Sequence, residues 1–168
     1  MTEPVSPSDR LYSSLSYILP LSASVVLGSN LFMQIPFLAE IYSPFIWIYR
    51  NLLMFPLVPF LGINGEFVIF ILLFTLVLRN PQVNKFVRFN LTQAFLIQIV
   101  LFISQVLMPV LQLSLGSFEA GRYPLIVLVN TTFMGVSVAC GYAAVRGAMG
   151  EYSEIPGISA AALIQSDR

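Results

Sequence analysis

The stretch from Leu91 to Leu115, LTQAFLIQIVLFISQVLMPVLQLSL, carries no charged side chain. A helix needs about 20 residues to cross a hydrocarbon core of about 30 Å. In lipid every backbone N–H and C=O must be paired within its own segment, so a run of this kind is predicted to be a membrane-crossing helix. Leu11 to Phe32, Phe60 to Leu78 and Tyr123 to Val145 read the same way. Across all four runs Glu66 is the one carboxylate, and Lys and Arg are absent.

Composition agrees with a lipid environment. The chain has 168 residues, of which 57% are hydrophobic and 10% charged. A soluble domain carries about 25% charged residues. The expected fold is all-α, an integral membrane four-helix bundle over residues 11–149, with spans near 11–32, 60–78, 91–115 and 123–145. Residues 1–10 and 150–168 are expected to be tails. The N-terminus lacks the basic region of a secretory signal and the Arg-rich character of a transit peptide, so the first run is read as a retained span.

Ser43 to Pro59 is apolar too, but a span there would bury Arg50 near mid-membrane. A central Arg costs roughly 2.5–3.5 kcal/mol even on a lenient insertion scale. Pro44, Pro56 and Pro59 bracket the segment, and Trp47, Arg50, Asn51 and Met54 share one helical side. An additional amphipathic helix over about 44–55, lying in the membrane interface between the first and second spans, is therefore expected.

Four spans place Arg10, Arg79, Lys85, Arg88, Arg146 and Arg168 on one side and Arg50 and Arg122 on the other. Basic residues concentrate on the cytoplasmic face, so both termini are expected there. Asn80 and Pro81 read as N-cap and first residue of the third helix, which then enters lipid near Leu91.

Two patterns within the spans are candidates for function. Gln98, Gln105 and Gln112 recur every seven residues, within about 20° of one face. An amide facing lipid would be unsatisfied, so this face is expected to meet another helix, a second protomer or an aqueous groove. Asn130 and Thr131 add polarity in the fourth span. Thr131, Gly135, Ala139, Ala143 and Gly147 are each four residues apart, a spacing that lets helices approach closely within the chain or between subunits. Pro20 and Pro109 break the helix ladder in the first and third spans. In the basic loop, Phe86 and Phe89 flank Arg88, as an interfacial anchor or a docking surface would.

Catalytic chemistry has few candidates, and no cofactor or metal is expected. The chain has no histidine, and its single Cys140 falls in an apolar helix. A net charge of zero gives no bulk field for nucleic acid.

Three segments in order carry a family resemblance: Leu15-Ser16-Tyr17-Ile18-Leu19-Pro20-Leu21; Arg79-Asn80-Pro81 with Phe86-Val87-Arg88-Phe89-Asn90 and Gln93-Ala94; and Gly150-Glu151-Tyr152 through Ile155-Pro156. From about residue 11 to 162 the chain resembles the Tic-Twenty family, a membrane subunit of the protein import translocon of the chloroplast inner envelope, with cyanobacterial relatives. The resemblance implies four membrane helices, both termini on the stromal or cytoplasmic side, and a role in protein translocation within a cyanobacterial membrane or a plastid inner envelope. The partners implied are the lipid bilayer, other membrane subunits or further copies of the chain, and a preprotein substrate. A small-solute transporter or channel, with the Pro-interrupted spans marking a midplane site, and a purely structural subunit are the alternatives.

Overall fold

A computed structural model describes residues 5–58, 60, 63–80, 82–115 and 118–166. The fold is mostly helical. It opens with α1 (Pro7–Leu15), α2 (Ile18–Ser24), α3 (Ser29–Gln34), α4 (Pro36–Ile41) and α5 (Ser43–Ile48). Two short strands, β1 (Pro56–Val58) and β2 (Ile63–Asn64), pair antiparallel and lead into α6 (Gly65–Leu73). The long helices α7 (Lys85–Leu115) and α8 (Glu119–Met149) follow, and α9 (Ile158–Ser166) closes the chain.

Helices α7 and α8, over Lys85–Ser114 and Gly121–Met149, are long and apolar enough to cross a membrane. In the most apolar window of each, only 33% and 22% of residues are buried inside the molecule. The core helix of a soluble protein would be mostly buried. Here Ile103, Val106, Val127 and Val138 face outward, as lipid would favour.

The expected first span is not one straight helix. Pro20 has no N–H to give the Ser16 carbonyl, and the helix breaks there between α1 and α2. A second break at Val25–Gly28, unforeseen in the sequence, is held by bonds of three-residue spacing such as Leu27 N to Ser24 O at 2.9 Å. Ser24 Oγ donates to the Leu21 carbonyl at 2.8 Å, a back-bond that bends helices. At this bend a Cβ on Gly28 would meet the Phe32 ring at 2.7 Å and Phe133 at 2.9 Å, so a larger residue would have to displace those rings.

The expected second span is corrected at its start. Residues 63–64 form a strand, and the helix begins at Gly65, where Asn64 Oδ1 accepts from Phe67 N at 3.1 Å. With a widened π-turn over Phe74–Leu78, the helical part is Gly65–Leu78. At 1.5 Å per residue it covers about 21 Å, less than a full hydrocarbon core.

The third helix is also corrected. Asn80 Oδ1 accepts from Gln82 N at 3.0 Å and closes a local turn instead of capping α7. Pro81 lies outside the described residues. Asn84 Oδ1, 2.8 Å from Phe86 N, is the side chain that starts α7. The tail expected beyond residue 150 folds back. Gly150, at φ 79°, ends α8 with Glu151 N bonded to Arg146 O at 3.0 Å, and α9 packs along α7.

The core lies where α1 and α2 pack on α7 and α8. Tyr17, Ala23, Leu101, Cys140 and Ala143 are each 0% exposed. Helix α7 meets the C-terminal end of α8 with its own N-terminal end: the first helical segment touches both, through Tyr17 at the α1–α2 break to Gln93 and through Ser14 Oγ of α1 to the Ala144 carbonyl at 2.8 Å. At the other end Phe32 stacks edge-on against Phe133, with centroids 5.3 Å apart.

Candidate functional site

The three sequence segments singled out above converge at one end of the α7–α8 pair. Tyr17, from the break that Pro20 imposes, points its hydroxyl at Gln93 Oε1 (2.8 Å) and Asn90 Oδ1 (3.0 Å). Gln93 lies one turn after Phe89 and is 0% exposed. Its Nε2 donates to the Ser153 carbonyl at 3.1 Å and to Ser159 Oγ at 2.7 Å, and its Oε1 accepts from Ser153 Oγ at 2.6 Å. Asn90 Nδ2 returns to the Phe86 carbonyl at 2.8 Å. Burying an amide without partners costs about 1–3 kcal/mol, and here both are supplied. The cluster fastens α1, α7 and the C-terminal segment together.

Phe86 and Phe89 are each 1% exposed and hold Tyr152 edge-on, with centroids at 5.2 and 4.9 Å. They point into the molecule and are not available as an interfacial anchor or docking surface. Arg88, between them, is half-buried, while Arg79 is exposed and lies 5.9 Å from the Phe74 ring centroid. Asn84 Nδ2 reaches Asp9 Oδ2 at 3.3 Å, so the basic loop and the N-terminal helix also meet at this end.

The glutamine stripe runs from buried to exposed along α7. Gln98 is 0% exposed and its Nε2 donates to Glu66, itself 1% exposed. Gln105 is half-buried. It approaches the same carboxylate without a well-formed bond, and its Nε2 is enclosed and unpaired. Gln112 is exposed. Asn130 is half-buried with Oδ1 unpaired, and Thr131 is exposed.

Sequence reasoning assigned no role to Glu66, the one carboxylate in the four apolar runs. The signal that bears on it is Asn64-Gly65 just before it. Gly65 is buried where a Cβ would collide with the Leu52 carbonyl, and its N–H bonds the Phe55 carbonyl at 2.9 Å. The segment after α5 therefore closes over the carboxylate. Tyr49 belongs to that segment and is half-buried. Trp47, Arg50, Asn51 and Met54 are exposed together.

The small-residue ladder of α8 divides. Ala143 is 0% exposed, and a Cβ on Gly147 would meet Ser13 Cβ at 3.4 Å, an ordinary contact distance. This half packs against α1. Gly135 has nothing within 4 Å of a Cβ, and with Thr131, Ala139 and Tyr142 it lines an open groove of about 550 Å³. Among the described residues no group of His, Cys, Asp and Glu is arranged to hold a metal ion.

A family model described as chloroplast import apparatus Tic20-like matches residues 7–162. A Tic20 family protein of Synechocystis is 36% identical over 94% of this chain and 92% of its own. Protein TIC 20-v, chloroplastic, of Arabidopsis thaliana is 32% identical over 61% of this chain and 46% of its own. The Tic20 family protein Ycf60 of Cyanidium caldarium is 35% identical over 71% and 57%. This chain thus spans about half the length of these Arabidopsis and Cyanidium relatives and nearly all of the Synechocystis one. No solved structure matches it.

Proposed function

Because the chain belongs to the Tic20 family, we propose that it is a multi-pass membrane subunit of a protein-translocating complex, with an unfolded polypeptide as substrate. Four passes are proposed: the broken α1–α3 segment, the α6 segment, α7 and α8. The shorter α6 is completed by the strand pair and the segment that covers Glu66. In this arrangement both termini lie on the cytoplasmic or stromal side. The meeting of Asp9 with Asn84 and of Gln93 with Ser153 supports it, since α1, the basic loop and the C-terminal segment then share one end.

One observation carries the functional reading. The face of α7 opens from buried Gln98 through Gln105 to exposed Gln112, within the stretch from Leu91 to Leu115 that carries no charge. An exposed amide in lipid is costly and gains by meeting a polar surface. Four helices of this length pack mainly on one another and leave no room for an aqueous pore that passes a polypeptide. Gln105 and Gln112 therefore form one wall of a conduit completed by other subunits or further copies.

The test is cysteine substitution at each glutamine in a Cys140→Ala background, probed in membranes with a water-soluble thiol reagent. Labelling at Gln112→Cys and Gln105→Cys, with protection when a preprotein is arrested in transit, is the expected result. Unlabelled cysteines at both positions would reduce the stripe to helix packing.

A further inference from the structure

We infer that α9 is a membrane-interface helix, with Leu163 and Ile164 seated where lipid headgroups give way to acyl chains. The inference rests on α7 crossing a bilayer. From Phe86 to Gln98, α7 is enclosed on almost every side, with only Arg88 and Leu96 partly open. From Ile99 onward Ile99, Val100, Ile103 and Val106 face outward. Helix α9 is one of the elements that cover the enclosed part. What bathes Ile99 and Val100 therefore bathes the outer side of α9 where α9 takes the place of lipid on α7.

Depth points the same way. Ser159 is bonded to Gln93, five residues beyond Arg88 and so about 7.5 Å further along the helix axis. The polar layer of a bilayer is about 5–7.5 Å thick on each side, from a total of about 40–45 Å and a core of about 30 Å. An Arg88 at headgroup level puts the start of α9 at the floor of that layer. The sequence of α9, ISAAALIQS, has no charge to keep it in water. Ala162 is 0% exposed and faces inward, whereas Leu163 and Ile164 are 48% and 65% exposed. Two adjacent large apolar side chains on an uncharged helix face fit an acyl boundary, which absorbs apolar surface without a shaped pocket.

The experiment attaches an environment-sensitive fluorophore to Ile164→Cys in a Cys140→Ala background, with the full chain in phospholipid vesicles. Ile103→Cys on α7 and Gln82→Cys in the basic loop serve as references. Quenching of the Ile164 probe by spin-labelled lipid carrying the label near the headgroup, with loss of quenching by aqueous iodide relative to Gln82, is expected. Iodide quenching at Ile164 beside lipid quenching at Ile103 would overturn the inference while leaving the membrane reading of α7 intact. Shielding of Ile164 from both quenchers would overturn it in favour of a protein neighbour. Iodide quenching at Ile103 would remove the membrane reading itself, and the inference with it.

Discussion

Gln93 and Ser153 are sixty residues apart in sequence and bonded twice, Gln93 Nε2 to the Ser153 carbonyl at 3.1 Å and Ser153 Oγ to Gln93 Oε1 at 2.6 Å. The same amide carries the Tyr17 hydroxyl and Ser159. One side chain thus ties the broken first helix, α7 and the C-terminal segment into a single unit.

Gln93→Ala empties a fully buried site and strips Ser153 Oγ of its acceptor, at about 1–3 kcal/mol for that buried hydroxyl. The expected outcome is a lower thermal midpoint in detergent and faster proteolysis between Glu151 and Gln165. Tyr17→Phe removes one donor while the amide keeps its other partners, so its loss is smaller, about 0.5–1.5 kcal/mol. Equal midpoints for the two variants would show that the amide is not the centre of the cluster.

Glu66→Gln keeps an acceptor for the Gln98 amide, whereas Glu66→Leu leaves that amide buried without one. Denaturation of the purified protein is expected to rank Glu66→Leu below Glu66→Gln by about 1–3 kcal/mol. Combining Glu66→Leu with Gln98→Leu should recover part of the loss, because the amide orphaned by the first substitution is then removed.

Gly65→Ala puts a methyl group against the Leu52 carbonyl, a backbone atom that cannot swing aside. Loss of monodisperse protein on size-exclusion chromatography is expected. Gly141→Ala is the control: nothing lies within 4 Å of its Cβ. In a helix interior it should be neutral or stabilise by about 0.5–1 kcal/mol.

The two halves of the α8 ladder should respond differently to bulk. Ala143→Leu overfills a fully buried contact and is expected to cost about 1–3 kcal/mol. Gly135→Leu projects into the open groove and should leave the thermal midpoint nearly unchanged. A smaller complex on native gels for Gly135→Leu alone would identify the groove as a subunit contact.

The sequence by itself determined the solvent and the long helices. Uncharged runs have one low-energy solution in lipid, and α7 and α8 follow from composition alone. It also marked Tyr17, Asn90, Gln93 and Ile155 within segments worth noting, and Pro20 as the site of a break. Only the tertiary structure decided what these residues meet. The fate of Glu66 depended on a chain reversal at Gly65 that brings Leu52 and Phe55 over it, and a helical period carries no record of such a return. The inward turn of Phe86 and Phe89 was equally hidden, because their partner Tyr152 arrives from the far end of the chain. Helical periodicity fixes which residues share a face. What covers that face is set by contacts between distant segments, where one buried amide left unpaired would outweigh any local preference.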